Sequence, residues 1–325
     1  MKVGVLGCGH LGSIHARVYS ELPEVTLAGV YDIDPAASAR CAERLGCRAY
    51  DSLAALAETV DALSVCVPTP AHRDVALAAL ERDCHLLVEK PVAHDLRAAE
   101  EMLAAAARRN LQLMVGHVER FNPAILAALP HFRAPGFVES HRLSPFGARG
   151  AEVAVVLDLM IHDIDLLSMI LGEEVESLDA SGSSVLTRDV DIANARLRFA
   201  GGCVANITAS RISRERMRKL RVFQPDGYLA VDLMAGSVEF IRKQADFDLR
   251  LAKAVSAPGG MADVHLEDFV EQVAVPVTRA EPLRLELEAF TRAVSAGEPV
   301  PVSGEDGLRA LRLAVRILET MHGGR

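Results

Sequence analysis

The chain has 325 residues, half of them hydrophobic, yet no apolar run approaches the length of a membrane span. That length allows two domains with ample core, and a net charge of −9 argues against a nucleic-acid partner. A charged-then-apolar start and six cysteines (Cys8, Cys41, Cys47, Cys66, Cys84, Cys203) with no C-x-x-C pairing lead to the expectation of a cytoplasmic enzyme without a secretory leader, its thiols small buried hydrophobes.

The first strand, Val3-Gly4-Val5-Leu6, runs into Gly7-Cys8-Gly9-His10-Leu11-Gly12, the spacing G-x-G-x-x-G, and then a helix from Ser13 to about Glu21. The three glycines serve different ends: Gly7 permits a tight turn, Gly9 lets the backbone approach a pyrophosphate closely, and Gly12 allows helix–strand packing. The helix start offers amide donors and partial positive charge to phosphates, with His10 and Leu11 in its path. Asp32 closes the next strand, Val25–Tyr31, where an acid can bond a ribose 2′-hydroxyl. The implied cofactor is NAD, since Asp32 would repel the 2′-phosphate of NADP.

Strand and helix then alternate. Helices are predicted over Pro35–Leu45, Ser52 to Glu58, about Ala71–Arg82 and about Asp95–Arg109; strands over Asp61–Val67, Cys84–Val88 and Leu111–Val115. Near-continuous apolar strands between amphipathic helices imply a parallel sheet covered on both faces. After residue 120 the pattern changes. Strands are predicted at 137–143, 175–186, 190–199, 202–210, 217–224 and within 227–242, interrupted by one helix from Leu157 to Leu171 and followed by helices at 283–296 and 305–322. Residues 243–266 carry no clear pattern. The expected architecture is α/β: a Rossmann doubly wound domain over 1–120, then a substrate-binding and oligomerisation α+β domain over 121–325 on an open, largely antiparallel sheet.

Ligands of doubly wound sheets bind beyond the carboxyl ends of the strands. Three such ends carry polar clusters: Pro68, Thr69 and His72 after one strand, Glu89-Lys90-Pro91 after the next, and His117, Arg120 and Asn122 after the last. Lys90, between a buried strand and a proline, is partly desolvated and suited to proton transfer; the simpler reading of Glu89 and Lys90 is a surface ion pair. In the interrupting helix Asp158 and His162 lie four apart, hence on one face, with Asp165 three further on. A carboxylate beside an imidazole orients it and fixes its tautomer. The simpler reading is a capped helix start. No third ligand is evident, so no metal is expected.

The fingerprint at 7–12, Glu89-Lys90-Pro91, Asp158-x-x-x-His162 and Gly116-His117-x-x-Arg120-Phe121-Asn122-Pro123 together resemble the Gfo/Idh/MocA oxidoreductases, as does the closing segment Pro301–Gly307. The resemblance implies a catalytic set of Lys90, Asp158 and His162, a cis Lys90–Pro91 bond, cofactor contacts from Gly7, Gly9, His10, Leu11, Gly12, Asp32, Pro68, Thr69, His72 and Glu89, and substrate contacts from Lys90, His117, Arg120, Asn122, Arg149 and His162. One departure stands out: where many members carry a glycine pair before the aspartate, this chain has Ala151–Val156, which puts local substrate contacts in doubt.

The stretches Gly116–Pro123 and Val156–Asp163 resemble the branch that includes UDP-N-acetylglucosamine 3-dehydrogenases. That implies NAD-dependent oxidation of a sugar hydroxyl in a nucleotide sugar. Cations for the diphosphate are available in Arg211–Arg221 and in a loop carrying Arg142 and Arg149, although the former run also reads as a solvated strand face. The alternatives are a dehydrogenase of a free polyol, inositol or simple sugar, and a non-catalytic NAD-binding regulator. An open sheet with an uncovered face suggests a homodimer or homotetramer, with no membrane partner.

Overall fold

A computed structural model describes residues 1–147, 153–256 and 265–323. The chain divides into two compact units. Met1–Phe121 with Ala280–Arg316 form the first; Asn122–Arg279 with Ile317–Arg325 form the second. The penultimate helix and most of the last thus return to the first unit instead of extending the second, as a single cut near residue 120 would have it.

In the first unit the strands β1 (Lys2–Leu6), β2 (Thr26–Tyr31), β3 (Arg48–Ala49), β4 (Ala62–Val65), β5 (His85–Glu89) and β6 (Leu113–Gly116) form a six-stranded sheet ordered β3-β2-β1-β4-β5-β6. All its pairings are parallel. Parallel neighbours need crossovers, here the helices α1 (His10–Glu21), α2 (Pro35–Leu45), α3 (Leu53–Ala57), α4 (His72–Leu80) and α5 (Leu96–Arg108). Local signals set their limits. Asp34, Ser52 and Asp95 cap α2, α3 and α5 by accepting from Ala36, Ala55 and Ala98 amides, and Gly46 ends α2 at φ 64°. The strand order reverses between β1 and β4, and in such sheets the crevice at that reversal is where a dinucleotide lies.

The second unit begins with the short helix α6 (Pro123–Ala128) and the strand β7 (Phe137–Leu143). A π turn at Val156–Met160 leads into α7 (Ile161–Leu171), which Gly172 ends in the left-handed region. Strands β8 (Val175–Ser183), β9 (Ile192–Phe199), β10 (Val204–Ser210), β11 (Met217–Gln224), β12 (Gly227–Asp232) and β13 (Ser237–Lys243) follow, then α8 (Phe247–Ser256) and β14 (Val270–Val273). The eight-stranded sheet runs β14-β13-β12-β11-β7-β10-β9-β8. Only β7 and β10 pair in parallel; the other pairings are antiparallel. Alternation is strict in β9, where Ala193, Ala195, Leu197 and Phe199 are buried and Asn194, Arg196 and Arg198 exposed. One face therefore packs on the core while the other is polar.

The chain closes with α9 (Pro282–Ala296) and α10 (Gly304–Gly323). α9 buries Leu287 and Phe290 in the first unit, where Val115 N–H also donates to Val302 O at 3.0 Å. Among the described residues no helix is long and apolar enough to cross a membrane.

Candidate functional site

The glycine loop is built as the spacing requires, with α1 beginning a turn earlier than expected, at His10. Gly7 takes φ +90°, and a Cβ there would lie 2.8 Å from the Cys66 carbonyl. At Gly12 a Cβ would sit 1.7 Å from Gly7 O, so helix and turn touch only because Gly12 lacks a side chain. Gly9 differs. A Cβ there meets no protein atom within 4 Å, and no side chain caps α1. Its missing side chain opens space in front of first-turn amides, including those of His10 and Leu11, which is the fit a pyrophosphate needs. Asp32 accepts from Cys8 N at 2.6 Å and from Asp34 N at 2.8 Å, one bond on each oxygen. A carboxylate has about four acceptor sites, so capacity for ribose hydroxyls remains.

After β4, Pro68 is exposed and Thr69 opens a 3₁₀ turn. His72, expected as a cofactor contact, is held inside the protein. Its ring is 1 % exposed, Nε2 faces Val67 O at 2.9 Å and Nδ1 faces Pro91 O at 3.0 Å. The imidazole thus braces the loop after β4 against the loop after β5, and burial pushes it toward the neutral form while those carbonyls oppose the shift.

Glu89 and Lys90 are not a surface ion pair. Glu89 is 8 % exposed at the end of β5, and the Lys90–Pro91 bond that follows is cis. Burial pushes the Glu89 carboxyl up, but the hydrogen bond and charge of His15 and the charge of Lys90 outweigh it and hold it below its ordinary value. His15 is not evident from sequence; its only signal there is its place one turn beyond the fingerprint.

The cluster after β6 is largely spent inside the protein. His117 is 1 % exposed. Arg120 lies 3.5 Å from Asp306, a residue that also accepts from Ser303 N–H and Oγ–H at 2.9 Å to cap α10. Asn122 caps α6 through Ala124 N and donates to Leu233 O at 3.1 Å. Arg120 and Asn122, both expected as substrate contacts, thus have structural duties within the protein. Arg149 lies outside the described residues, as do Ala151 and Glu152. The cysteines are all free thiols, but Cys8 and Cys41 are more than filler. Cys8, Ser13 and Arg44 push the Cys41 thiol down against its burial, while Cys41 and burial push the Cys8 thiol up.

In the second unit Asp158 stands in the π turn and His162 in the first turn of α7, both half-buried. The expected uninterrupted α-helix is corrected: hydrogen bonds of the i→i+5 type widen the turn at Asp158, an irregularity frequent at functional sites. Two buried ion pairs brace this segment. Arg142 was expected in a loop as a cation for substrate. It lies instead in β7, 3 % exposed, with Nε donating to Asp163 Oδ2 at 2.8 Å and Nη2 to Asp163 Oδ1 at 3.2 Å, while Ser140 Oγ donates to Oδ1 at 2.9 Å. Asp163 adjoins His162, so this fork fixes the start of α7. The second brace is Asp191, fully buried, which accepts from the amides of Val185, Leu186 and Thr187 and from Thr187 Oγ at 2.6–2.9 Å. It lies 3.6 Å from Arg211, whose guanidinium donates to Val153 O, just ahead of the π turn. The rest of the basic run is mostly open sheet face: Lys219 and Arg221 each stand 3.6 Å from a carboxylate of the neighbouring strand, Asp232 and Glu139.

Comparison with known proteins places this geometry. Residues 1–117 match the oxidoreductase family with an NAD-binding Rossmann fold, Gfo/Idh/MocA, and residues 128–230 match a C-terminal domain of the same family. The UDP-N-acetylglucosamine 3-dehydrogenase of Acidithiobacillus ferrooxidans is 36% identical over 318 residues, 98% of this chain and 96% of that protein. A solved structure of that enzyme superposes with a TM-score of 0.88 at 34% identity, covering 99% of this chain and 98% of the other. A myo-inositol 2-dehydrogenase of Thermotoga maritima is 28% identical over 341 residues, 96% of this chain and 94% of that protein. The chain belongs to the Gfo/Idh/MocA oxidoreductase family, and residues 1–117 are its NAD-binding Rossmann domain.

Proposed function

We propose that the chain oxidises the 3-hydroxyl of a UDP-N-acetylhexosamine to a 3-keto sugar. The observation that carries this reading is the 36% identity, across 98% of the chain, to an enzyme named for that reaction. NAD, when bound, supplies the hydride acceptor. The sugar carbon gives up its C–H electron pair as hydride, the O–H pair becomes the second C–O bond, and the proton passes to the protein. Lys90 and His162 are the groups proposed to handle that proton. Asp158 orients His162. Arg142 does not serve the diphosphate, because its guanidinium is committed to Asp163.

A spectrophotometric assay of NAD reduction across UDP-sugars and free polyols tests the reading, with mass spectrometry to find a product two hydrogens lighter. UDP-N-acetylglucosamine is expected to react fastest. The relative named for myo-inositol supports a second reading, a free polyol substrate; reduction with inositol and none with any UDP-sugar would establish it and sink the first.

We assign the protein to the cytoplasm, which suits six free thiols, and to a homodimer or homotetramer built on the open sheet face. On that face Phe137, Phe223 and Tyr228 form an aromatic row with centroids 5.9 and 4.9 Å apart, and Phe223 is 40% exposed. Sedimentation showing only monomer at micromolar concentration would remove the assembly.

A further inference from the structure

A buried polar line crosses the first unit beneath the glycine loop. Tyr19 and His15 lie on α1, Ser64 in β4 and Glu89 at the end of β5; the first three are fully buried. Tyr19 Oη and Ser64 Oγ are 2.9 Å apart, Ser64 Oγ and His15 Nδ1 3.2 Å, and His15 Nε2 and Glu89 Oε1 2.9 Å. Glu89 Oε2 in turn accepts from the Lys90 amide at 3.3 Å. An ionised carboxylate only accepts, so His15 Nε2 is the donor to it. Room for the carboxylate comes from Gly116, which pairs with Glu89 in register and whose Cβ would lie 3.2 Å from the carboxylate carbon.

Packing α1 on the sheet does not require this line. Ala16 and Val18 are fully buried on the same helix, and apolar pairs generally serve a core as well as a buried ionic one. What the line adds is a fixed link between the helix that begins at the glycine loop and the residue before Lys90. We propose that His15 is a positioning residue: it fixes the Glu89 carboxylate and through it the Lys90 main chain and amine, so that the cofactor-holding helix and the lysine stay in register. The inference rests on the reading of Lys90 as a proton-handling group.

The test uses the full chain as His15→Ala, His15→Gln and Lys90→Ala. Turnover with UDP-N-acetylglucosamine, NAD affinity by calorimetry and the rate at which an amine-reactive reagent labels Lys90, read by peptide mass spectrometry, are compared. His15→Ala should lower kcat about 10- to 100-fold while shifting the NAD Kd less than about threefold, as expected of a misplaced reacting group. Its Lys90 labelling rate should change as well. His15→Gln, whose amide N–H reaches the same carboxylate, should restore most of both. Wild-type kcat and labelling in His15→Ala would overturn the inference. So would equal impairment of the Gln and Ala variants, or loss of NAD binding in step with kcat, each of which marks a packing role. If no UDP-sugar or polyol is turned over but labelling still responds to His15→Ala and recovers in His15→Gln, the proposed reaction fails and the positioning role stands.

Discussion

The two units hold their polar groups by different means. In the first, the groups sit where parallel strands end, and the backbone does most of the work: a turn at Gly7, a gap at Gly9 and an uncapped helix start. In the second, Asp158 and His162 stand on a helix held by buried charges, Arg142 on Asp163 and Arg211 on Asp191. A backbone-built site is local and survives loss of most single side chains. A charge-braced site depends on partners far along the chain, and each brace is exposed to a single substitution.

Substitutions should separate these modes. The largest effect is expected from the proton-handling groups themselves: Lys90→Ala and His162→Ala should each lower kcat about 10²- to 10⁴-fold, with NAD affinity by calorimetry nearly unchanged. Wild-type turnover in both would remove them from the chemistry. Next comes Asp163→Ala, which leaves the Arg142 charge buried without its carboxylate and should cost about 3–5 kcal/mol in denaturant unfolding. Replacing Arg142 and Asp163 together by apolar residues should recover most of that stability but not the turnover.

Smaller changes are expected at the backbone-built site. Gly9→Ala should weaken NAD binding on the order of tenfold, about 1.4 kcal/mol, while altering stability by no more than about 1 kcal/mol. Gly12→Ala, whose Cβ would overlap Gly7 O, should instead disturb the fold itself. Equal NAD affinity in wild type and Gly9→Ala would show that the gap is not a phosphate seat. The smallest effect is a slope. The Asp191 carboxyl is held well below its usual range, because the three amides and the Thr187 hydroxyl outweigh its burial. A lowered native value means that its contribution is complete above the unfolded value of about 3.9 and is lost as the pH falls through the native one. Stability measured between neutral pH and pH 3 should therefore fall less steeply in Asp191→Asn than in wild type.

The same contrast explains what is legible in the sequence. The fingerprint, Asp32 and Glu89-Lys90-Pro91 are read directly, because in a parallel sheet every strand delivers its last residues to one edge and spacing alone locates them. His15 is hidden because its partner Glu89 is distant in the chain and pairs only through the fold. Arg142 is read as a cation open to substrate for a similar reason: only Asp163, across the unit, makes a buried arginine tolerable in β7. The helix α8 has no buried residue, so no core contact marks its limits. The polar clusters at His72 and Asn122 read as ligand contacts because nothing local distinguishes a side chain turned toward solvent from one bonded to carbonyls or capping a helix.

The return of Ala280–Arg316 to the first unit bears on how the chain assembles during synthesis. The ribosome delivers Met1–Phe121 early, but α9 and the Val302 carbonyl that meets Val115 emerge only after the whole of Asn122–Arg279 has been made. Domains generally fold as units as they emerge, yet the first unit waits, still lacking Leu287 and Phe290, while Asn122–Arg279 is made, and that segment in turn waits for Ile317–Arg325. Each unit is begun before the other is complete, so neither closes until the last helix has left the ribosome.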